Sequence, residues 1–150
     1  MPENRLLPAF IDVYFAAIRN IDAVITKPLT IYRLSFAQYQ ILYDIARSPE
    51  VTLTGIMEAR GVSKPAISRQ LAVLRQLGYV SQKTVQADKR RHILLLTPLG
   101  KQTERAATEA LGTELEHWAT ALGHASFTNL LDLLRQVGEL RQQAKVEAEE

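Results

Sequence analysis

The stretch that decides the fold is GVSKPAISRQLAVLRQLG, residues 61–78. It predicts a helix with well-defined ends. Ser63 is placed to cap this helix, because its hydroxyl can accept a hydrogen bond from an N–H group of the first turn. Pro65 falls within that first turn, where its missing N–H costs little. Gly78 follows Leu77 and suits the left-handed conformation that ends many helices.

The two sides of this helix differ in chemistry. Apolar side chains recur three or four residues apart and line one side: Ile67, Leu71, Leu74 and Leu77. Lys64, Ser68 and Arg69 lie off that side, near the start. A helix that enters a DNA major groove has such an apolar back and such small, hydroxyl and basic groups at its N-terminal end. The window alone fits an ordinary amphipathic helix with a solvated side equally well.

Charge is concentrated around this helix. The 150-residue chain has a formal net charge of only +2. Residues 60–92 alone hold eight basic residues and one acid, Asp88, which gives +7. The flanks carry −1 over residues 1–59 and −4 over residues 101–150. A basic middle between neutral and acidic flanks predicts a polyanion-binding module on a different kind of scaffold.

Composition excludes several classes of protein. The chain has no cysteine, so disulfides, thiolate metal sites and thiol redox switches are excluded. No apolar run approaches the ~18 residues of a membrane span, and the N-terminus lacks the pattern of a secretory signal. We therefore expect one domain, or two small pieces sharing a core, in the cytoplasm and with no membrane partner.

Two helices are predicted before the basic segment. Apolar residues at helical spacing over residues 6–25 predict a long first helix, which Pro28 should end. Ser35 and Gln38 have the spacing of a capping box, which starts a second helix. That helix should end before Pro49. A stripe as long as that of the first helix is usually core, but near a terminus it can also meet a partner helix.

A helix-turn-helix and a hairpin are predicted next. Thr52 can cap a short helix over residues 53–59, and Gly61 then turns the chain into the helix quoted above. Residues 79–85 and 91–97 are rich in β-branched and apolar residues and predict two strands. The charged residues between them would form the tip of a wing, whose apolar side must rest on the helices.

Two more helices are predicted after the hairpin. Thr97 and Pro98 form a start signal for the first of them. Gly123 breaks it, and Ser126 can cap the second. Beyond Gln142 the apolar pattern ends, so we expect fraying there.

This order of elements resembles the MarR (multiple antibiotic resistance regulator) family of winged-helix transcription factors. In the predicted recognition helix the likeness is carried by Val62-Ser63, Ala66-Ile67-Ser68-Arg69, Leu74 and Gly78-Tyr79-Val80. In the wing it is carried by Asp88, Arg90, Leu96-Thr97 and Gly100, at the spacing of that family's Asp-x-Arg…Leu-Thr-x-x-Gly signature. The likeness covers residues 6 to about 140. It implies a mainly α fold with a small β-hairpin wing, a winged helix-turn-helix flanked by N- and C-terminal dimerisation helices.

The DNA contacts can be assigned residue by residue. Lys64 and Arg69 can reach base edges or phosphates, and Thr54 can bond phosphate together with helix N–H groups. The resemblance implies that Arg90 enters the minor groove, where a narrow A·T-rich groove would favour it. It also implies that Asp88 holds Arg90 or the turn in place without touching DNA. The full predicted DNA-binding set is Thr52, Thr54, Ser63, Lys64, Pro65, Ala66, Ser68, Arg69, Lys83, Lys89, Arg90 and Arg91.

The resemblance also implies a homodimer on double-stranded DNA. The first helix and the last two would intertwine with those of a second subunit, because their apolar stripes exceed what a small winged helix can cover. Two recognition helices would then meet half-sites ~34 Å apart in a palindromic operator. The predicted regions are 1–34 and 98–150 for dimerisation and 35–97 for DNA binding. A monomer with its three long helices packed on each other is the alternative.

A small apolar or phenolic effector is a further implication of the resemblance. It would bind between the dimer helices and the DNA-binding region and release a repressor from its operator. The predicted ligand-binding residues are Phe10, Tyr14, Ile18, Tyr32, Phe36, Tyr39, Tyr43 and Trp118, although for any single aromatic among them a place in the core is the favoured alternative.

Other functions are less well supported by the residues. A DNA-binding regulator without an effector remains an alternative. A zinc-responsive regulator is another, although His92, His117 and His124 lack tight ligand spacing. No phosphate loop, metal-ligand triad or paired nucleophile points to an enzyme, and no cofactor is expected.

Overall fold

The structure, a computed structural model, describes the backbone of residues 5–149 and the side chains of residues 5–140. Its α-helices and strands are, in order, α1 (Leu6–Leu29), α2 (Phe36–Arg47), α3 (Leu53–Arg60), α4 (Lys64–Gln76), β1 (Val80–Val85), β2 (Asp88–Leu96), α5 (Pro98–Leu122) and α6 (His124–Glu149), and a short 3-10 helix, Thr30–Tyr32, follows α1. The predicted mainly helical fold with a hairpin wing is confirmed. The chain divides into two compact units, one up to Leu111 and one from Gly112 onward.

Helix α1 is longer than the sequence predicts, because it continues through Pro28 to Leu29. The predicted stop at Pro28 is therefore wrong. A proline removes only the backbone hydrogen bond of its own N–H, so the residues around it can stay helical. Here Pro28 lies one residue before the end. The Oγ1 atom of Thr30 also donates to the carbonyl oxygen of Thr26 (3.1 Å), which adds a bond across the last turn.

Side-chain caps fix the starts of α2 and α3 where the sequence predicts them. The Ser35 hydroxyl accepts from the backbone N–H of Gln38 (3.1 Å), and the Gln38 side chain accepts from the N–H of Ser35 (3.0 Å). The Thr52 hydroxyl accepts from the N–H of Gly55 (3.1 Å). Helix α3 ends at Gly61, whose φ of 62° is one that glycine adopts without strain.

Helix α4 has the predicted ends and the predicted inner side. The Ser63 hydroxyl accepts from the N–H of Ala66 (3.4 Å), and Gly78 follows the helix with a φ of 77°. The buried residues of the helix are Ile67, Leu71 and Leu74. The apolar side predicted from the sequence therefore faces the core, and Lys64, Ser68 and Arg69 are exposed on the rest of the helix.

The hairpin has a shorter turn than the sequence predicts. Strand β2 begins at Asp88, which pairs with Val85, so only residues 86 and 87 form the turn. The register shifts at this end, because Thr84 pairs with His92 while Val85 pairs with Asp88. Three residues of β2, Lys89–Arg91, therefore have no matching residues on β1. An irregularity of this kind bends a strand and redirects its side chains.

The base of the hairpin is joined to the helices by backbone hydrogen bonds. The N–H of Leu94 donates to the carbonyl oxygen of Val51 (2.9 Å), and Thr52 forms an isolated bridge with Ile93. Val80 and Leu94 are buried in the core. The hairpin thus rests on the segment that starts α3, as a two-stranded sheet requires.

The start of α5 is fixed against the loop that follows α4. The Thr97 hydroxyl accepts from the N–H of Gly100 (2.9 Å) and donates to the carbonyl oxygen of Gly78 (2.6 Å). A Cβ atom at Gly100 would lie 2.0 Å from the carbonyl oxygen of Tyr79. The predicted cap is confirmed, and the structure shows why glycine occupies position 100.

Helix α6 begins earlier than the sequence predicts. Its first residue is His124, and the carbonyl oxygen of Gly123 accepts from the N–H of Phe127 (3.0 Å). Ser126 is therefore inside the helix, and the prediction that it forms the cap is wrong. Gly123, with a φ of 86°, ends α5 and directly precedes α6. The backbone stays helical to Glu149, past the point where the sequence predicts fraying.

One hydrophobic core holds the first unit together. Its members come from α2, α3, α4 and the hairpin, with Leu29 of α1, Leu34 and Tyr79 of the connecting segments, and two residues of α5, Ala107 and Leu111. By contrast, the first half of α1 contributes nothing to this core, and Phe10, for example, is 64% exposed.

Candidate nucleic-acid interface

The candidate interface is built on the capped starts of two helices. Helix α3 begins after Thr52, and helix α4 begins after Ser63, so each hydroxyl is already used within its own helix. The first N–H groups of a helix carry a partial positive charge that attracts phosphate. Thr54 and Lys64 are exposed in these first turns. The geometry therefore brings backbone donors and side chains to the same surface.

A cleft of about 480 Å³ joins these helix starts to the wing. We call it the wing cleft, and it is lined by Thr52, Leu53, Thr54, Lys64, Asp88, Arg90, Arg91 and His92. Six of these eight residues were singled out from the sequence. His92 was expected near phosphate but was left out of the DNA-binding set, and Leu53 was not assigned to the site. Leu53 belongs to it through tertiary packing, which no local sequence pattern reveals.

Two carboxylates hold the wing side of this cleft in position. The Oδ1 atom of Asp88 accepts from the backbone N–H of Arg90 (3.0 Å), which is the local arrangement that keeps an Asx turn in shape. The Nη2 atom of Arg91 lies 3.7 Å from Oε2 of Glu50, in the segment before α3. The sequence did not single out Glu50, because its partner lies far along the chain.

The positive charge of this region is unevenly distributed. Arg60 is bound by Asp44 of α2, with Nε–Oδ2 and Nη2–Oδ1 distances of 2.8 and 2.5 Å. These bonds raise the pKa of Arg60 and take its charge away from the candidate interface. Arg75 donates instead to the side chain of Gln82, which ties the end of α4 to β1.

The remaining predicted cations are free to meet a polyanion. Within the described residues, no ion pair involves Lys64, Arg69, Lys83, Lys89 or Arg90. All five side chains are exposed. A protein that neutralises phosphates with lysine and arginine needs such uncompensated charges.

Several predicted DNA-binding residues lie outside the wing cleft. Ser68 and Arg69 are exposed on the next turn of α4, and Pro65 is exposed at its start. Ala66 is half-buried and lines a separate small pocket of about 100 Å³ against α2 and α3. Lys83 is exposed on β1. The structure therefore places one part of the predicted set around a cleft and the other along an exposed helix and hairpin.

The predicted ligand-binding aromatics fall into separate groups. Phe36, Tyr39 and Tyr43 follow one another along α2, with ring centroids 6.1 and 5.9 Å apart. Phe10 and Tyr14 form another pair on α1, with centroids 5.9 Å apart. Ile18 and Tyr32 are exposed and half-buried, respectively, and Trp118 is half-buried in the second unit.

Tyr39 belongs to a polar chain between α2 and α5. Its hydroxyl lies 2.9 Å from Oγ1 of Thr108, which donates to Oε1 of the buried Glu104 (2.8 Å). The same Oε1 atom accepts from Nη1 of Arg47 (2.8 Å). Burial raises the pKa of Tyr39, and the hydrogen bond that Arg47 donates to Glu104 raises the pKa of Arg47. Tyr39 is thus part of the core, with its hydroxyl bonded.

The described residues lack two kinds of feature. They contain no group of three or more His, Asp or Glu side chains that could hold a metal ion. Nor do they contain a helix that is both long and apolar enough to cross a membrane. His124 lies 3.2 Å from Glu116, and that contact is a simple exposed pair.

The fold and this surface define a class of protein. A short helix, a tight turn, a basic second helix and a following hairpin are a winged helix-turn-helix. Residues 34–91 match the sequence model described as MarR family. The chain belongs to the MarR family, whose members are DNA-binding transcriptional regulators and not enzymes.

Known proteins similar to this chain agree with that assignment. The HTH-type transcriptional regulator PetP of Rhodobacter capsulatus is 31% identical over 100 residues, which are 67% of this chain and 60% of PetP. The chain therefore matches somewhat less than two thirds of that relative's length.

Two solved structures share the fold. The transcriptional repressor CouR, bound to a 23-mer DNA duplex, has a TM-score of 0.81 at 22% identity and covers 92% of this chain and 98% of its own. Staphylococcus aureus MarR, in complex with salicylate and kanamycin, has a TM-score of 0.77 at 20% identity, with coverages of 93% and 95%.

Proposed function

We propose that this chain is a sequence-specific DNA-binding transcriptional regulator. The observation that carries the proposal is the wing cleft together with the exposed start of α4, where Lys64, Arg69 and Arg90 have no acidic partner within the described residues. The recognition helix α4 would lie in the major groove, and Arg90 would reach the adjacent minor groove. CouR, which has the same fold, was solved bound to a DNA duplex.

The finer parts of the proposal concern assembly and control. The chain would act as a homodimer on a palindromic operator, as a repressor that a small apolar or phenolic compound releases. Support comes from the exposed apolar side chains of α1 and from the S. aureus MarR structure, which holds salicylate. A thermal-shift screen of phenolic compounds tests the effector. A compound that raises the melting temperature must also weaken DNA binding. If no compound does both, the proposal of a phenolic effector is wrong.

The DNA-binding proposal is tested with two single variants of the full chain. Arg69→Ala and Arg90→Ala should each weaken binding roughly 5- to 150-fold, since a good base contact is worth ~1–3 kcal/mol. Fluorescence anisotropy with labelled DNA fragments from around the chain's own gene would measure affinity at several salt concentrations. The logarithm of the wild-type affinity should fall steeply with the logarithm of salt concentration, because phosphate contacts release counterions.

The matched control is Lys27→Ala, which removes one exposed positive charge from α1. It should bind as the wild type does. Wild-type affinity in both Arg69→Ala and Arg90→Ala, or an affinity that does not respond to salt, would contradict the proposal.

A further inference from the structure

His92 is the one side chain lining the wing cleft that belongs to the type whose charge changes near neutral pH. The lysine and the arginines beside it stay charged over that range, and the threonines stay neutral. The proposed function assigns no role to His92. Its position in the cleft gives it one.

The hairpin directs His92 toward the starts of the helices. Side chains alternate between the two faces of a strand, so His92 lies on the same face of β2 as Leu94, a core residue that is 2% exposed. The residue between them, Ile93, forms a bridge with Thr52 at the start of α3. His92 is therefore exposed just beyond the edge of the core, where a bound polyanion can reach it.

One ring nitrogen of His92 is in contact with β1, and the other is available. Nδ1 lies 3.3 Å from Oγ1 of Thr84, its partner across the hairpin. Within the described residues, Nε2 has neither a hydrogen bond nor an ion pair. Both nitrogens of a protonated imidazole are donors, so Nδ1 can donate to Thr84 while Nε2 donates to a phosphate oxygen. The contact with Thr84 orients the ring for this bond.

Three cations and one acid of the wing cleft face His92. Helix α4 contributes Lys64, and β2 contributes Asp88, Arg90 and Arg91. The carboxylate of Asp88 is already used, because it accepts from the backbone N–H of Arg90 (3.0 Å). The excess of positive charge attracts a phosphate to the cleft.

The other described elements around His92 add no acid that pairs with it. The first turn of α3 contributes uncharged residues, and on β1 Lys83 lies on the other face of the sheet from Thr84. Glu50, in the segment before α3, is paired with an arginine of β2. Neither Asp88 nor Glu50 forms an ion pair with His92. A negative charge within ~4–6 Å favours the protonated form of an imidazole, and a phosphate in the wing cleft would supply that charge.

We propose that His92 binds a DNA phosphate in its protonated form, so that DNA binding takes up a proton from the solvent. The proposal rests on the proposed DNA-binding function and adds a phosphate contact and a pH dependence to it. A hydrogen bond from a charged donor is roughly twice as strong as one between neutral groups. DNA affinity is therefore highest where the imidazole is protonated, and it falls as the pH rises.

The test uses the full chain and a DNA fragment that the wild type binds in the anisotropy titrations. Isothermal titration calorimetry in two buffers of different ionisation enthalpy counts the protons taken up, because the buffer releases them. Near neutral pH we expect an uptake of roughly half a proton per chain. Affinity should be about 3- to 10-fold higher at ~pH 6 than at ~pH 8, since one unit of pKa corresponds to a factor of ten.

Two variants at position 92 separate the charge of the imidazole from its hydrogen bond. His92→Gln can still donate a hydrogen bond but cannot gain a charge, so it should take up no proton. Its affinity should equal that of the wild type at ~pH 8 and be about 3- to 10-fold lower than that of the wild type at ~pH 6. His92→Arg is charged throughout, so at ~pH 8 it should bind as tightly as the wild type does at ~pH 6.

The matched control is His117→Gln, which removes an exposed histidine from α5. It should keep the proton uptake and the pH dependence of the wild type. Equal proton uptake in His92→Gln and the wild type would overturn the proposal. DNA binding without proton uptake overturns this proposal alone, whereas the absence of DNA binding at every pH overturns the proposed function and this proposal with it.

Discussion

At the scale of single residues, Asp88 is the residue whose charge and whose hydrogen bond favour opposite effects on DNA binding. It is the one acid in the basic segment 60–92, so by charge alone it should weaken DNA binding. Its Oδ1 atom, however, accepts from the N–H of Arg90 and shapes the turn that carries this arginine. The two roles predict opposite changes in DNA affinity when Asp88 is replaced.

We expect Asp88→Ala to lower DNA affinity several-fold although it makes the protein more positive. Without the acceptor, the backbone at Arg90 loses the bond that orders it, and a contact to a misplaced side chain is weaker. Asp88→Asn is the matched control, because the amide oxygen can still accept from Arg90 while the charge is removed. Its affinity should equal or exceed that of the wild type. Anisotropy titrations of the three proteins decide the matter, and higher affinity in Asp88→Ala would contradict the positioning role.

At the scale of elements, the sequence correctly predicted the helix starts that are fixed by side chains close to them in sequence. The capping box of Ser35 and Gln38 and the caps at Thr52 and Ser63 all lie within three residues of their partners, and the structure contains each of them. The errors occurred at Pro28, where a proline lies in a last turn that tolerates it, and at Ser126, where Gly123 already adjoins the helix.

Contacts between distant elements could not be predicted in the same way. The pairing of Glu50 with Arg91, the bond from Arg75 to Gln82 and the neutralisation of Arg60 by Asp44 all depend on packing. For this reason the sequence counted Arg60 in the +7 charge of residues 60–92, whereas the structure pairs it with Asp44 of α2. The wing cleft likewise became visible only when α3, α4 and β2 were placed together.

Two glycines of α5 should respond in opposite ways to the same substitution. Gly100→Ala places a Cβ atom 2.0 Å from the Tyr79 carbonyl oxygen, so α5 or the loop after α4 must move. We expect a loss of ~1–3 kcal/mol in the free energy of unfolding, or more. Gly112→Ala meets no atom within 4 Å and should gain ~0.5–1 kcal/mol from helix propensity. Urea denaturation measures both, and a Gly100→Ala protein as stable as the wild type would show that this contact is not close in solution.

At the scale of the whole molecule, large apolar side chains remain uncovered on the first half of α1. Leu6, Phe10, Val13 and Ile18 are between 51% and 80% exposed. Apolar surface of this extent along one helix marks an interaction site more often than free surface. A winged helix bound to a palindrome requires a two-fold partner, and this face of α1 is available for one.

We therefore expect Phe10→Glu to dissociate a homodimer, because a buried unpaired carboxylate at an interface is strongly unfavourable. Sedimentation velocity should show a dimer for the wild type and a monomer for the variant at the same concentration. Ala23→Glu is the matched control, since it adds the same charge at an exposed position on the opposite side of α1. It should remain dimeric. Operator affinity should fall in Phe10→Glu and not in Ala23→Glu, because a dissociated monomer binds only one half-site with its single recognition helix. A wild-type protein that sediments as a monomer would refute the dimer. The DNA-binding surface of α4 and the wing would still be tested separately by the variants Arg69→Ala and Arg90→Ala.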